Sequence, residues 1–114
     1  MLNTFTGPAD LRDFWEAVTA QRGRIVSPGA ASVVLRCSFE QIYRIIEDGE
    51  LEAWVYCPAE GRPALHYMVS IPSLVRYGIR TGRFHSAQDR DLGGLNVTEA
   101  EFLRLQAEAL RDGA

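Results

Sequence analysis

Two serines eleven residues apart, Ser27 and Ser38, constrain the fold of this chain more than any other feature. Each stands just before an apolar segment. In Ser27-Pro28 the hydroxyl can accept from a free backbone N–H of a helical first turn, and proline at the first helical position gives up no hydrogen bond. Ser38 is followed three residues later by Gln41, the S-x-x-Q pattern of a reciprocal capping box. Between the two caps there is room for one short helix, ending about Leu35, and a three-residue turn, Arg36-Cys37-Ser38. The second helix, Ser38 to Asp48, sets Ile42, Ile45 and Ile46 on one face and stops at Gly49. Two short, separately capped helices joined by a tight turn form the helix-turn-helix pattern.

The flanking sequence fits one small domain around this pair. Gly7-Pro8 opens a helix over about Ala9 to Gln21, with Leu11, Phe14, Trp15 and Val18 as its apolar stripe and Gly23 as its stop. Ile25-Val26 reads as a short extended link. After Gly49 the period changes. Leu51 to Tyr56 and Leu65 to Ile71 are rich in β-branched and aromatic residues, and the segment between them, Cys57 to Ala64, is full of turn formers. They predict a β-hairpin with a long tip. Ile71-Pro72-Ser73 starts a short helix ending near Gly78, and Ile79 to Gly94 is polar and aperiodic, as a loop would be. Thr98 and Glu101 form a T-x-x-E capping box opening a last helix to about Arg111, with Phe102, Leu103, Leu105, Ala109 and Leu110 as apolar surface.

The expected fold class is therefore α+β, mainly helical with a small β-hairpin. It divides into a helical extension (1–25), a winged helix-turn-helix (26–78), a linker (79–97) and a C-terminal helix (98–114), all within one compact domain. No apolar run approaches the roughly 18 residues that span a bilayer. The N-terminus MLNTFTGPAD has neither a basic leader nor an apolar core of a signal peptide. A cytoplasmic location is expected, with no membrane association and with Cys37 and Cys57 as reduced thiols.

From Ser27 to Leu51 the sequence SPGAASVVLRCSFEQIYRIIEDGEL resembles the excisionase-like branch of the MerR winged helix-turn-helix superfamily. The shared features are the small pair Ala31-Ser32, the aliphatic pair Val34-Leu35, the turn serine Ser38 and the aromatic-basic pair Tyr43-Arg44. The exit Gly49-Glu50-Leu51 and the wing ending at Ile71-Pro72 complete the set. There are departures. Arg36 stands where the family often has glycine, Glu52 follows Leu51 in place of proline, and Glu40, Glu47 and Asp48 make the second helix more acidic than its relatives. The resemblance implies double-stranded DNA as partner, the second helix in the major groove and the hairpin wing on the backbone or minor groove.

Residues near the start of that helix and facing away from Ile42, Ile45 and Ile46 are the candidates to reach base edges. Gln41 suits adenine, Glu40 a cytosine amino group, Arg44 guanine or a phosphate, and Tyr43 a phosphate; Gln41 can instead close its capping box and Tyr43 can lie half in the core. Arg36 and Ser38 in the turn, Arg62 at the wing tip, and Arg76, Arg80 and Arg83 beyond the wing complete the candidate DNA-binding set. His66 belongs to it as a wing residue, packing being its alternative. The charge is unevenly placed. Four arginines and no carboxylate lie between Arg62 and Arg83, whereas five carboxylates and one arginine lie between Glu40 and Glu52, within a net charge of −3. That balance keeps open a second class of function, a winged adaptor that binds protein and not DNA. Enzyme chemistry is not expected: His85, Asp89 and Asp91 lack a metal-ligand spacing, and no phosphate-binding glycine loop or nucleophile–base pair is visible. Neither a cofactor nor a small-molecule effector is expected, and the terminal helices are candidate homodimer surfaces.

Overall fold

A computed structural model describes residues 2–21, 23–59, 61–64 and 66–112. The chain runs through β1 (Leu2–Thr6), α1 (Gly7–Ala20), β2 (Ile25–Val26), α2 (Pro28–Leu35), α3 (Phe39–Glu47), β3 (Ala53–Cys57), β4 (His66–Ser70), α4 (Ile71–Arg80) and α5 (Glu99–Asp112), with a 3-10 turn at Arg90–Leu92. It is an α+β domain in which five α-helices pack on a four-stranded mixed sheet, counted among the described residues. No described helix is long and apolar enough to cross a membrane.

The local caps fall where the sequence puts them. Ser27 Oγ accepts from Ala30 N at 3.1 Å. The Ser38 box is reciprocal: Ser38 Oγ accepts from Gln41 N, and Ser38 N donates to Gln41 Oε1, both at 3.2 Å. Helix α3 ends in a Schellman motif, with Gly49 N on Ile46 O, Glu50 N on Ile45 O, and Gly49 at φ +78°. Helix α2 ends the same way, with Arg36 N on Val33 O and Cys37 N on Ser32 O, but Arg36 takes the left-handed position at φ +54°. An arginine does there what the resemblance assigns to glycine.

The sheet is larger than the expected hairpin. Its order is β1-β3-β4-β2: β3 and β4 are the hairpin, β2 pairs antiparallel with β4, and β1 pairs parallel with β3 from Leu2↔Ala53 to Thr6↔Cys57. The N-terminal extension is thus strand as well as helix, and Ile25-Val26 is a paired edge strand. Alternation divides the side chains between two faces. Trp54, Tyr56, Met68, Phe5 and Ile25 meet Phe14 and Val18 of α1, whereas Ala53 and Val69 meet Leu35, Ile42, Ile46, Leu74 and Leu105 from the other helices. The hairpin therefore has α1 on one face and α2 and α3 on the other. It is the middle of a three-layer domain, not a free wing. Leu65, the expected first residue of the second strand, lies outside the described residues.

Three further expectations are corrected. Of the stripe on α1, only Phe14 and Val18 are buried; Leu11 and Trp15 are 38% and 47% exposed. Helix α4 runs through Gly78 to Arg80, because Gly78 is a contact and not a stop: the Phe84 ring lies on its Cα. The expected linker is part of the core, burying Phe84, Leu92 and Leu95. At α5, Thr98 Oγ1 accepts from Glu101 N at 3.1 Å, but the Glu101 carboxylate forks onto Arg24 of the α1–β2 connection. That charge-assisted pair ties the two ends of the domain together.

Candidate nucleic-acid interface

Helix α3 buries Ile42, Ile45 and Ile46 and turns Phe39, Glu40, Gln41, Arg44 and Glu47 to solvent. The buried spacing leaves the first turn and the outer face free, which is the geometry that base reading requires. Gln41, however, is engaged through its Oε1 in the capping box, so the two-pronged adenine contact is available only if the box opens. Ser38 is likewise a cap. Tyr43 packs edge-to-face on Tyr67 of β4, ring centroids 4.9 Å apart, and fixes α3 against the sheet. Burial and the nearby Cys57, Glu47 and Tyr43 push the Tyr67 phenol above its ordinary value.

The arginines separate into tied and untied groups. Arg36 reaches the Asp91 carboxylate with Nε at 3.0 Å and Nη2 at 3.2 Å. Arg76 lies 3.7 Å from Glu108, half-buried against α5. Arg83 donates Nε to Leu35 O at 3.2 Å and Nη1 to Thr81 Oγ1 at 2.6 Å. It thereby clamps the last carbonyl-bearing turn of α2 from the far side of the α2–α3 corner. Among the described residues, Arg44, Arg62 and Arg80 have no carboxylate within ion-pair distance. Arg80 and Arg83 both lie over the Tyr77 ring at 5.5 Å.

These contacts bring together residues that the sequence holds far apart. Arg44 of α3, Arg83 after α4, Gln41, Cys37, Tyr77, Asp48 and Glu50 line one cleft of about 220 Å³. The acidic end of α3 thus shares this cleft with Arg44 and Arg83, with no ion pair between them among the described residues. Arg62 sits apart and exposed, in the turn closed by Arg62 N on Ala59 O. His66 is not on this face. It stacks on Phe14, centroids 6.0 Å apart, and meets the edge of Trp15, so it belongs to the α1 layer. Among the described residues no group of three His, Cys, Asp or Glu side chains has the geometry to hold a metal ion. The Arg36–Asp91 and Arg83–Leu35 contacts span 55 and 48 residues, too far apart for any local sequence pattern to announce them.

Cys37 and Cys57 are free thiols. Burial pushes the Cys37 thiol above its ordinary value, and the Arg83 guanidinium pulls it partly back. An unfolded chain ionises this thiol at a lower pH than the folded chain does. The folded state then holds the extra proton, and stability falls as pH rises through that region. Urea unfolding is expected to show a lower midpoint at pH 10 than at pH 8, and Cys37→Ala to lose part of that difference. An identical pH response in the variant would remove Cys37 as a cause. Comparisons with protein-family models, with curated proteins and with solved structures found no match to this chain.

Proposed function

We propose that the domain is a winged helix-turn-helix that binds double-stranded DNA as a small regulator of transcription or recombination, with α3 in the major groove. The observation that carries this is the presentation of α3. It is capped at both ends, held by Ile42, Ile45 and Ile46, and turned by the three-residue corner so that Glu40 and Arg44 face solvent. Phe39, 58% exposed at the first helical position, suits a thymine methyl, the apolar mark of the major groove. Arg44 and Arg62 are the cations for base edge and backbone, and Arg80 is a further phosphate contact. The DNA-contacting set is thereby narrowed to Phe39, Glu40, Arg44, Arg62 and Arg80. Arg36, Arg76 and Arg83 act as fasteners of the fold.

Fluorescence anisotropy on a short duplex at two salt concentrations tests it. With about three phosphate contacts, affinity should fall roughly 40-fold between 50 and 200 mM salt. Arg44→Ala and Arg62→Ala should each weaken binding and lower the salt slope by about one. Folded protein that binds no duplex at low salt would overturn the assignment. The net charge of −3 and the pairing of Arg36 and Arg76 with carboxylates favour instead an adaptor on the same frame, and that null titration is the outcome the adaptor requires.

A further inference from the structure

Helix α5 carries two apolar stripes, and the domain uses one. Phe102, Leu105 and Ala109 are buried against the core. On the opposite side Ala100, Leu103, Ala107 and Leu110 are all exposed, Leu103 at 56% and Leu110 at 68%. Their spacing of three, four and three residues is the a/d seam of a two-heptad coiled coil. The charges beside the seam are sorted. Glu99 and Gln106 flank it on one side, at the g positions, and Arg104 and Arg111 flank it on the other, at e.

We propose that a second copy of this chain docks on that seam, the two α5 helices lying parallel and in register. Charge chooses the occupant and the direction. In a parallel pair each g position faces the following e position of its partner, so Glu99 meets the partner subunit's Arg104 on both sides of the axis. In an antiparallel pair the e positions face one another, which sets the arginines of one copy against those of the other. Arg104 is 59% exposed and is shared between Glu101 and Glu108 of its own helix, on its side away from the seam, so the partner subunit's Glu99 draws on a guanidinium that is solvated and not locked by burial. Alanine at a and leucine at d let two helix backbones approach closely while Leu103 and Leu110 leave water. Two heptads are too few for a pair of free peptides, which would bear the cost of helix nucleation. Here that cost is already met, because α5 is folded onto α4 by its other face.

Sedimentation of the full chain from micromolar to millimolar concentration should show a monomer–dimer equilibrium. Leu103→Glu and Leu110→Glu should abolish the dimer and leave the melting temperature of dilute protein unchanged, since both side chains are exposed. Glu99→Arg and Arg104→Glu should each weaken it about threefold, and the double swap should restore it. Direction is read by Ala107→Cys in a Cys37→Ser, Cys57→Ser background: only a parallel, in-register pair brings residue 107 against its own copy, so mild oxidation should give a covalent dimer. A monomer at every concentration, a dimer indifferent to Leu103→Glu, or a dimer that Ala107→Cys does not cross-link would each overturn the proposal. None of these measurements contains DNA, so their failure is distinct from failure of DNA binding.

Discussion

Gly78→Ala is expected to destabilise the protein by about 3 kcal/mol, although alanine is the better helix former by about 1 kcal/mol. The sign is decided by one contact. A Cβ at residue 78 would lie 2.1 Å from Phe84 Cε2 and 2.2 Å from Cδ2, and the ring is 2% exposed within the core. Neither side can give: the glycine is inside α4, and its carbonyl accepts from Arg83 N at 2.7 Å and Phe84 N at 3.1 Å. Phe84→Ala should cost about 3–5 kcal/mol for a different reason, the cavity left by a buried ring. The two effects cannot add, because removing the ring removes the clash. In the double variant the alanine at 78 regains its helical advantage, so a urea-denaturation double-mutant cycle should give a coupling of about 4 kcal/mol, the clash plus that advantage. Wild-type or higher stability for Gly78→Ala would show that the ring does not lie there. The contact also bears on the α2–α3 corner, since the same carbonyl fixes the backbone of Arg83, whose guanidinium clamps Leu35 there.

Gly78 also shows where the sequence stopped being legible. A glycine after an apolar helical run reads as a terminator; the ring that requires it comes six residues later, after a turn with no helical period. Ser27, Ser38 and Gln41 were legible because a cap and its partner lie within three residues of each other. Strand β1 was not, because its neighbour is β3, about fifty residues on, and a parallel pairing leaves no turn between its strands to announce it. The same distance dependence distorted the candidate site. Arg36, Arg76 and Arg83 counted as available cations in the sequence, and long-range partners hold all three. Arg44 and Arg62 kept their roles as candidates because nothing distant in the fold engages them among the described residues.

Phe14→Ala is the second large effect, an expected loss of about 3–5 kcal/mol. Phe14 is fully buried and is the hub of the α1 layer, with ring centroids of Phe5 and Tyr56 at 5.7 Å and of Trp15 at 5.3 Å. Without it, Trp54 and Tyr56 on the back of the hairpin lose their cover, and β1 loses the packing that holds it beside β3. Trp15 and Trp54 report on this layer directly, so their fluorescence should shift toward that of solvated indole in the same transition in which far-UV ellipticity is lost. For the proposed interface the consequence is mechanical. Tyr56 Oη donates to Gly7 O at 3.1 Å, which fastens the start of α1 to the strand leading to the tip that carries Arg62. A hairpin fastened on both faces presents Arg62 from a rigid base; a hairpin covered only by α2 and α3 would leave it on a loose arm, with ordering to be done on binding. A loss below about 1 kcal/mol for Phe14→Ala would therefore count against both points, because by the usual cost of emptying a buried aromatic site it would mean that β1 and α1 ride on the rest of the domain and do not stiffen the β3–β4 hairpin.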